Sequence, residues 1–202
     1  MKRLAALAAA VLLSPSAALA GNWNIDGAHS TAGFAVRHMM VSKSKGQFNK
    51  LSGKLVLDEK DATKSTIEAT IDVASIDTNN TKRDEHLRSP DFFDVEKFPS
   101  ITFKSTKVEK KGKDGLKVTG DLTMHGVTKS VVLETTLSGP NTNPWGQVVR
   151  GVEAKAKLNR KDFGLNWNKA LETGGVVVGD EVEISIDAEF NPEPPAAPEA
   201  KK

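Results

Sequence analysis

Four histidines are the first residues to ask about, because histidine binds metals and moves protons near neutral pH. His29 and His38 lie nine residues apart. On one continuous strand that odd spacing sends them to opposite faces. His86 stands in a different kind of segment, and His125 sits beside Gly126 in V-T-G-D-L-T-M-H-G-V-T-K-S-V-V-L. No H-x-H or H-E-x-x-H spacing is present, and the absence of cysteine rules out thiolate sites and thiol chemistry. The sequence has no G-x-S-x-G, no P-loop and no G-x-G-x-x-G opening a helix. Asp91 and Asp94 flank Phe92 and Phe93, but acids there are ordinary helix-start residues. The expectation is a non-enzymatic protein with no catalytic residue and no metal, with His125 serving a turn.

The elements around these residues read as strands. Val182, Ile184, Ile186, Ala188 and Phe190 alternate with polar residues. So do Ile67–Val73, Val152–Leu158 and Val118–Met124, the mark of strands with one buried face. Ser30–His38, Phe48–Asp58, Ile101–Val108 and Val131–Leu137 fit less cleanly, and together the segments predict eight strands. Turn residues such as Lys111–Gly115 and His125-Gly126 link neighbours closely, so the pairing is antiparallel. On this parity Leu122 and Met124 face inward, and Asp121, Thr123 and His125 face outward.

One connection differs. Between the third and fourth strands, Thr81–Lys97 predicts a short helical excursion. Thr81 with Asp84 resembles a capping box, and Ser89-Pro90 resembles the start of a second turn. Pro99 ends the segment.

The fold class expected is therefore all-β, an eight-stranded antiparallel barrel, since closure removes exposed sheet edges. Such a barrel is either filled by side chains or holds one ligand. The inward set includes Gly53, Gly120, Ala69, Ala154, Ala156 and Ala188, with few large partners. Small inward residues leave volume open, which favours a cavity.

Composition narrows the classes. Residues 1–20 carry Lys2 and Arg3, an apolar run from Leu4 to Leu13 and an A-x-A end at Ala18–Ala20. They read as a cleaved signal peptide, because a membrane span needs roughly 20 apolar residues. Loss of Lys2 and Arg3 takes the 28 basic residues to 26, equal to the 26 acidic ones. A neutral mature surface argues against nucleic acid. No further transmembrane segment is expected, and the location expected is the periplasm. Residues 21–191 form one domain on this reading. Residues 192–202, rich in Pro and Ala, read as a disordered tail.

Six segments in order carry a resemblance: Trp23–Met40, Ala74–Asp94, Phe98–Phe103, Gly120–Lys129, Asn159–Leu165 and Val178–Val182. The chain resembles the YceI-like family of polyisoprenoid-binding proteins with a lipocalin-like barrel. Its one departure is Ser130 after Lys129, where many relatives carry proline. The resemblance implies a long isoprenoid or similar amphiphilic lipid, such as a quinone tail, threaded into the barrel, and sometimes a homodimer. No cofactor is expected beyond that lipid. The residues expected to line the tail are Phe34, Val36, Leu55, Ile71, Phe103, Leu122, Met124, Leu133, Val152, Ile184 and Ile186. Phe92, Phe93 and Trp167 are expected at the rim or as a plug, and Met39-Met40 as an adaptable gate. Two alternatives stay open: a filled barrel that binds a partner protein on its outer face, and a barrel enzyme acting on a small hydrophobic substrate.

Overall fold

The computed structural model describes residues 21–113 and 115–194. The expected signal peptide lies outside them, as does most of the expected tail. Strands β1 (Gly21–His38), β2 (Ser42–Phe48), β3 (Leu51–Leu57), β4 (Thr66–Asp72) and β5 (Ile76–Asp77) are followed by helix α1 (Thr81–Arg88). Strands β6 (Ser100–Lys111), β7 (Gly115–Met124), β8 (Val127–Thr142), β9 (Val148–Asn159) and β10 (Val178–Pro192) complete the chain.

Antiparallel pairing runs β1–β3–β4–β6–β7–β8–β9–β10 and closes through β10 back onto β1. This is a closed eight-stranded barrel. The two additional strands come from interruptions. β1 pairs with β3 through Gly21–Asn24 and with β2 through Ala32–His38, so β2 and β3 are one wall position broken at Asn49-Lys50. β4 and β5 share the next position, broken by a 3-10 turn at Val73–Ser75 whose amide at Ala74 is capped by Asp72. The predicted Phe48–Asp58 strand thus extends back to Ser42.

β1 carries a matching irregularity. Its register against β10 shifts between Asp26 and Thr31. Trp23 and Phe34 can therefore both face inward although eleven positions, an odd number, separate them.

Past Asp77 the chain leaves the wall. Asn80 caps α1 by accepting the Arg83 amide at 3.1 Å. The expected Thr81–Asp84 capping box does not form, because Asp84 turns back and accepts from the Thr78 amide (2.9 Å) and hydroxyl. Arg83 donates to the Thr78 hydroxyl and carbonyl, both at 2.7 Å, and Arg88 donates to the carbonyls of Ala74 and Ile76. These bonds satisfy the peptide groups exposed where the wall ends. Residues Ser89–Phe98 follow as hydrogen-bonded turns, and Ser89-Pro90 starts no second helix.

The barrel has two unlike ends. At one, Trp23, Leu55, Leu57 and Phe190 are packed together, with Phe190 fully buried. Arg150 lies 5.0 Å over the Trp23 ring and donates to both Glu59 carboxylate oxygens at 2.7 Å. At the other end α1, the Ser89–Phe98 turns and the segment from Phe163 to Val177 lie over the mouth.

Candidate functional site

Between these ends lies a cavity of about 410 Å³, walled almost wholly by apolar side chains. Its lining residues carry a telling pattern of exposure. Phe34, Val36, Phe103, Leu122, Leu133, Ile184 and Ile186 point inward from strands, yet each keeps accessible surface. A packed core at crystal-like density would leave them fully buried. They face a void instead.

The glycines make that void in an unexpected way. A β-carbon at Gly120 would collide with the Phe103 ring and with the Lys104 carbonyl at 2.6 Å, and one at Gly46 would lie 2.5 Å from Phe34 Cζ. Gly53 is likewise covered by Ile25. The two aromatic rings occupy the space over these glycines and line the cavity there. Ala69, Ala154, Ala156 and Ala188 line the cavity directly.

Of the fourteen residues expected at the site, thirteen line this cavity: Phe34, Val36, Ile71, Phe92, Phe93, Phe103, Leu122, Met124, Leu133, Val152, Trp167, Ile184 and Ile186. Leu55 does not. It faces inward but two residues nearer the Trp23 end than Gly53, where the packed base has no free volume. Met39 and Met40 do not reach the lumen; both are exposed at the tip of the β1–β2 turn, so they form no gate across it.

The rim is aromatic. Phe92 and Trp167 have ring centroids 5.2 Å apart, and the His86 ring stands edge-on to both, at 5.0 and 4.9 Å. Asp91 orients that ring through His86 Nε2 at 2.9 Å. Below it, Phe93 stacks edge-on against Phe48, which contacts Phe34.

Sequence reasoning missed the polar members of the lining: Arg37, His38, Ser44, Thr78, Arg83, His86, Thr135 and Arg160. Arg160 is buried and donates from Nε to the Gly179 carbonyl at 2.9 Å and from Nη1 to the Leu165 carbonyl. Burial pulls its guanidinium below the ordinary value, opposed by Asp180. It enters the wall because Asn159 caps a 3-10 turn over Arg160–Phe163, which Gly164 ends in the left-handed region at φ 78°. The Asn and Gly flanking R-K-D-F were the available signal. The charged groups among the lining residues are arginine or histidine, with no carboxylate.

His38 lines the cavity near its mouth, whereas His125 and His29 lie outside it. His125 and Gly126, at φ 52° and 74°, make the tight β7–β8 turn. The His125 ring packs on Phe98 and its Nδ1 lies 3.2 Å from the Phe163 carbonyl. His29 bridges to Asp26 at 3.0 Å on the outer face, opposite Glu189. The hydrogen bond from Asp26, then its charge and that of Glu189, raise the His29 pKa. This imidazole offsets two carboxylates that are direct cross-strand partners.

The profile of the YceI-like domain matches residues 23–190. The chain belongs to the YceI-like family. A UPF0312 protein of Photorhabdus laumondii is 44% identical over 160 residues, covering 78% of this chain and 83% of its own. The crystal structure of Burkholderia cenocepacia BcnA superposes with a TM-score of 0.72 at 25% identity, covering 82% of this chain and 98% of BcnA. A polyisoprenoid binding domain from Saccharophagus degradans, implicated in plant cell wall breakdown, shares the fold. Its TM-score is 0.63 at 16% identity, covering 87% and 99% of the two chains. Among the described residues no helix is long and apolar enough to cross a membrane.

Proposed function

We propose that this YceI-like barrel binds the apolar tail of an isoprenoid or similar amphiphilic lipid, a quinone tail being one example, and carries or stores it in the periplasm. The observation that carries this reading is the blind-ended apolar lumen, whose inward side chains are left only half-covered. Its 410 Å³ falls within the roughly 300–1,000 Å³ of small-molecule pockets. Each methylene buried there contributes about 0.8 kcal/mol, so a ten-carbon tail supplies about 8 kcal/mol before ordering costs. Apart from Thr135, the polar lining groups gather towards the mouth, which suits a ligand with one wet end. The polyisoprenoid-binding relative supports the same class of guest. The leader-like residues 1–20 support an exported protein.

Native mass spectrometry of protein purified from its host tests the reading. The expected result is extra mass released as an extractable lipid, lost in Leu122→Arg and in Ile184→Glu while circular dichroism stays that of the folded barrel. Folded variants that still carry lipid would sink the lumen assignment. An empty wild-type barrel that turns over a small hydrophobic substrate would favour an enzyme instead.

A further inference from the structure

The β1–β2 turn supplies a feature that lipid binding in the lumen does not use. Met39, Met40 and Val41 are 46, 58 and 80% exposed, three consecutive apolar side chains at one tip. Met39 and Met40 sit at φ 47° and 62°, a tight turn that presents them outward, and the Met39 amide donates to the Val177 carbonyl at 2.8 Å. Val36, His38 and Val177 line the cavity, so the tip continues directly from the mouth.

The stem below the tip is basic. Residues 33–48 include Arg37, Lys43 and Lys45 and no Asp or Glu. Lys43 pairs with Glu183 at 2.6 Å, whereas Arg37 and Lys45 are exposed and make no ion pair among the described residues. β2 meets β5 only through Gln47 and Phe48, so the outer edge of Ser42–Gly46 is open. Lysines at 43 and 45 guard that edge against strand addition, which leaves the tip as the contact surface.

We propose that this hairpin docks on an anionic lipid bilayer. Met39, Met40 and Val41 enter the boundary between headgroups and acyl chains, and Arg37 and Lys45 meet the headgroup charge. Docking sets the mouth against the membrane, where a lipid can pass into the lumen without crossing open water. The inference rests on the lipid-binding reading, but its test is separate.

Flotation of the purified protein with phosphatidylglycerol–phosphatidylcholine vesicles supplies that test. The wild type floats with these vesicles and less with phosphatidylcholine alone, and added salt releases it. The triple variant Met39→Ser, Met40→Ser, Val41→Ser lowers the vesicle-bound fraction by at least about tenfold. It still takes up a soluble apolar fluorophore, which shows the barrel intact. Arg37→Glu with Lys45→Glu removes the preference for anionic vesicles. Trp145, 83% exposed on the β8–β9 turn at the opposite end, is the control, and Trp145→Ser floats as the wild type does. A wild type that does not float would overturn docking, and so would a triple variant that floats unchanged. Either leaves lumen binding standing. Floating protein that takes up neither lipid nor fluorophore would instead defeat the lipid-binding reading.

Discussion

At the residue scale, the glycines decide how much room the lumen has. Alternation along β7 places Gly120 inward, and its lack of a side chain reads as empty space. The structure gives that space to Phe103, as it gives the space at Gly46 to Phe34. Which ring lies over which glycine depends on cross-strand neighbours, and those are set by register rather than by local pattern. Gly120→Ala should cost about 1–3 kcal/mol through overpacking, read from urea unfolding. It should also push the Phe103 ring inward, so less lipid co-purifies. An unchanged unfolding midpoint would mean that the ring is free to move aside. The histidines were more legible. His125 beside Gly126 marks a turn in the sequence, and the turn is what it makes. The meeting of His29 with Glu189 was not legible, because it needs strands from the two ends of the chain.

At the scale of elements, α1 shows how a local signature can be right about existence and wrong about detail. The sequence places a helix start near Thr81, and the helix begins there. Its cap is Asn80, and Asp84 is spent on Thr78 because two donors at the end of the wall would otherwise be buried unpaired. Asp84→Ala should remove that acceptor and cost about 1–3 kcal/mol. Hydrogen exchange should show Thr78–Arg88 losing protection while β7–β10 keep theirs; uniform loss across the barrel would contradict a local role. β2 was missed for a physical reason too. S-K-S-K-G-Q-F offers only Ser44, Gly46 and Phe48 to the inside, so its alternation carries almost no hydrophobic contrast. Its strand character comes from pairing with β1.

For the molecule as a whole, eight wall positions, antiparallel neighbours and an excursion between the third and fourth were all readable from period-two alternation and short turns. The break at Asn49-Lys50 was not, since it falls inside the predicted Phe48–Asp58 run, and neither was the short β5 that resumes the wall beyond the turn at Val73–Ser75. Lumen volume is a property of the whole barrel and can be altered from one position. Ala156 lines the cavity opposite Ile184 on β10. Ala156→Phe should fill part of it without adding charge, so mass spectrometry should find shorter tails, or none, with the fold retained. Tails of unchanged length would place the guest elsewhere.

The stopper formed by Trp23, Arg150 and Glu59 makes the molecule a flask rather than a pipe. Whatever goes in tail-first must back out the way it came, its wet end always nearest the neck. Such a vessel cannot pass cargo from one face to another, and any recipient must meet the same lip that the supplier did.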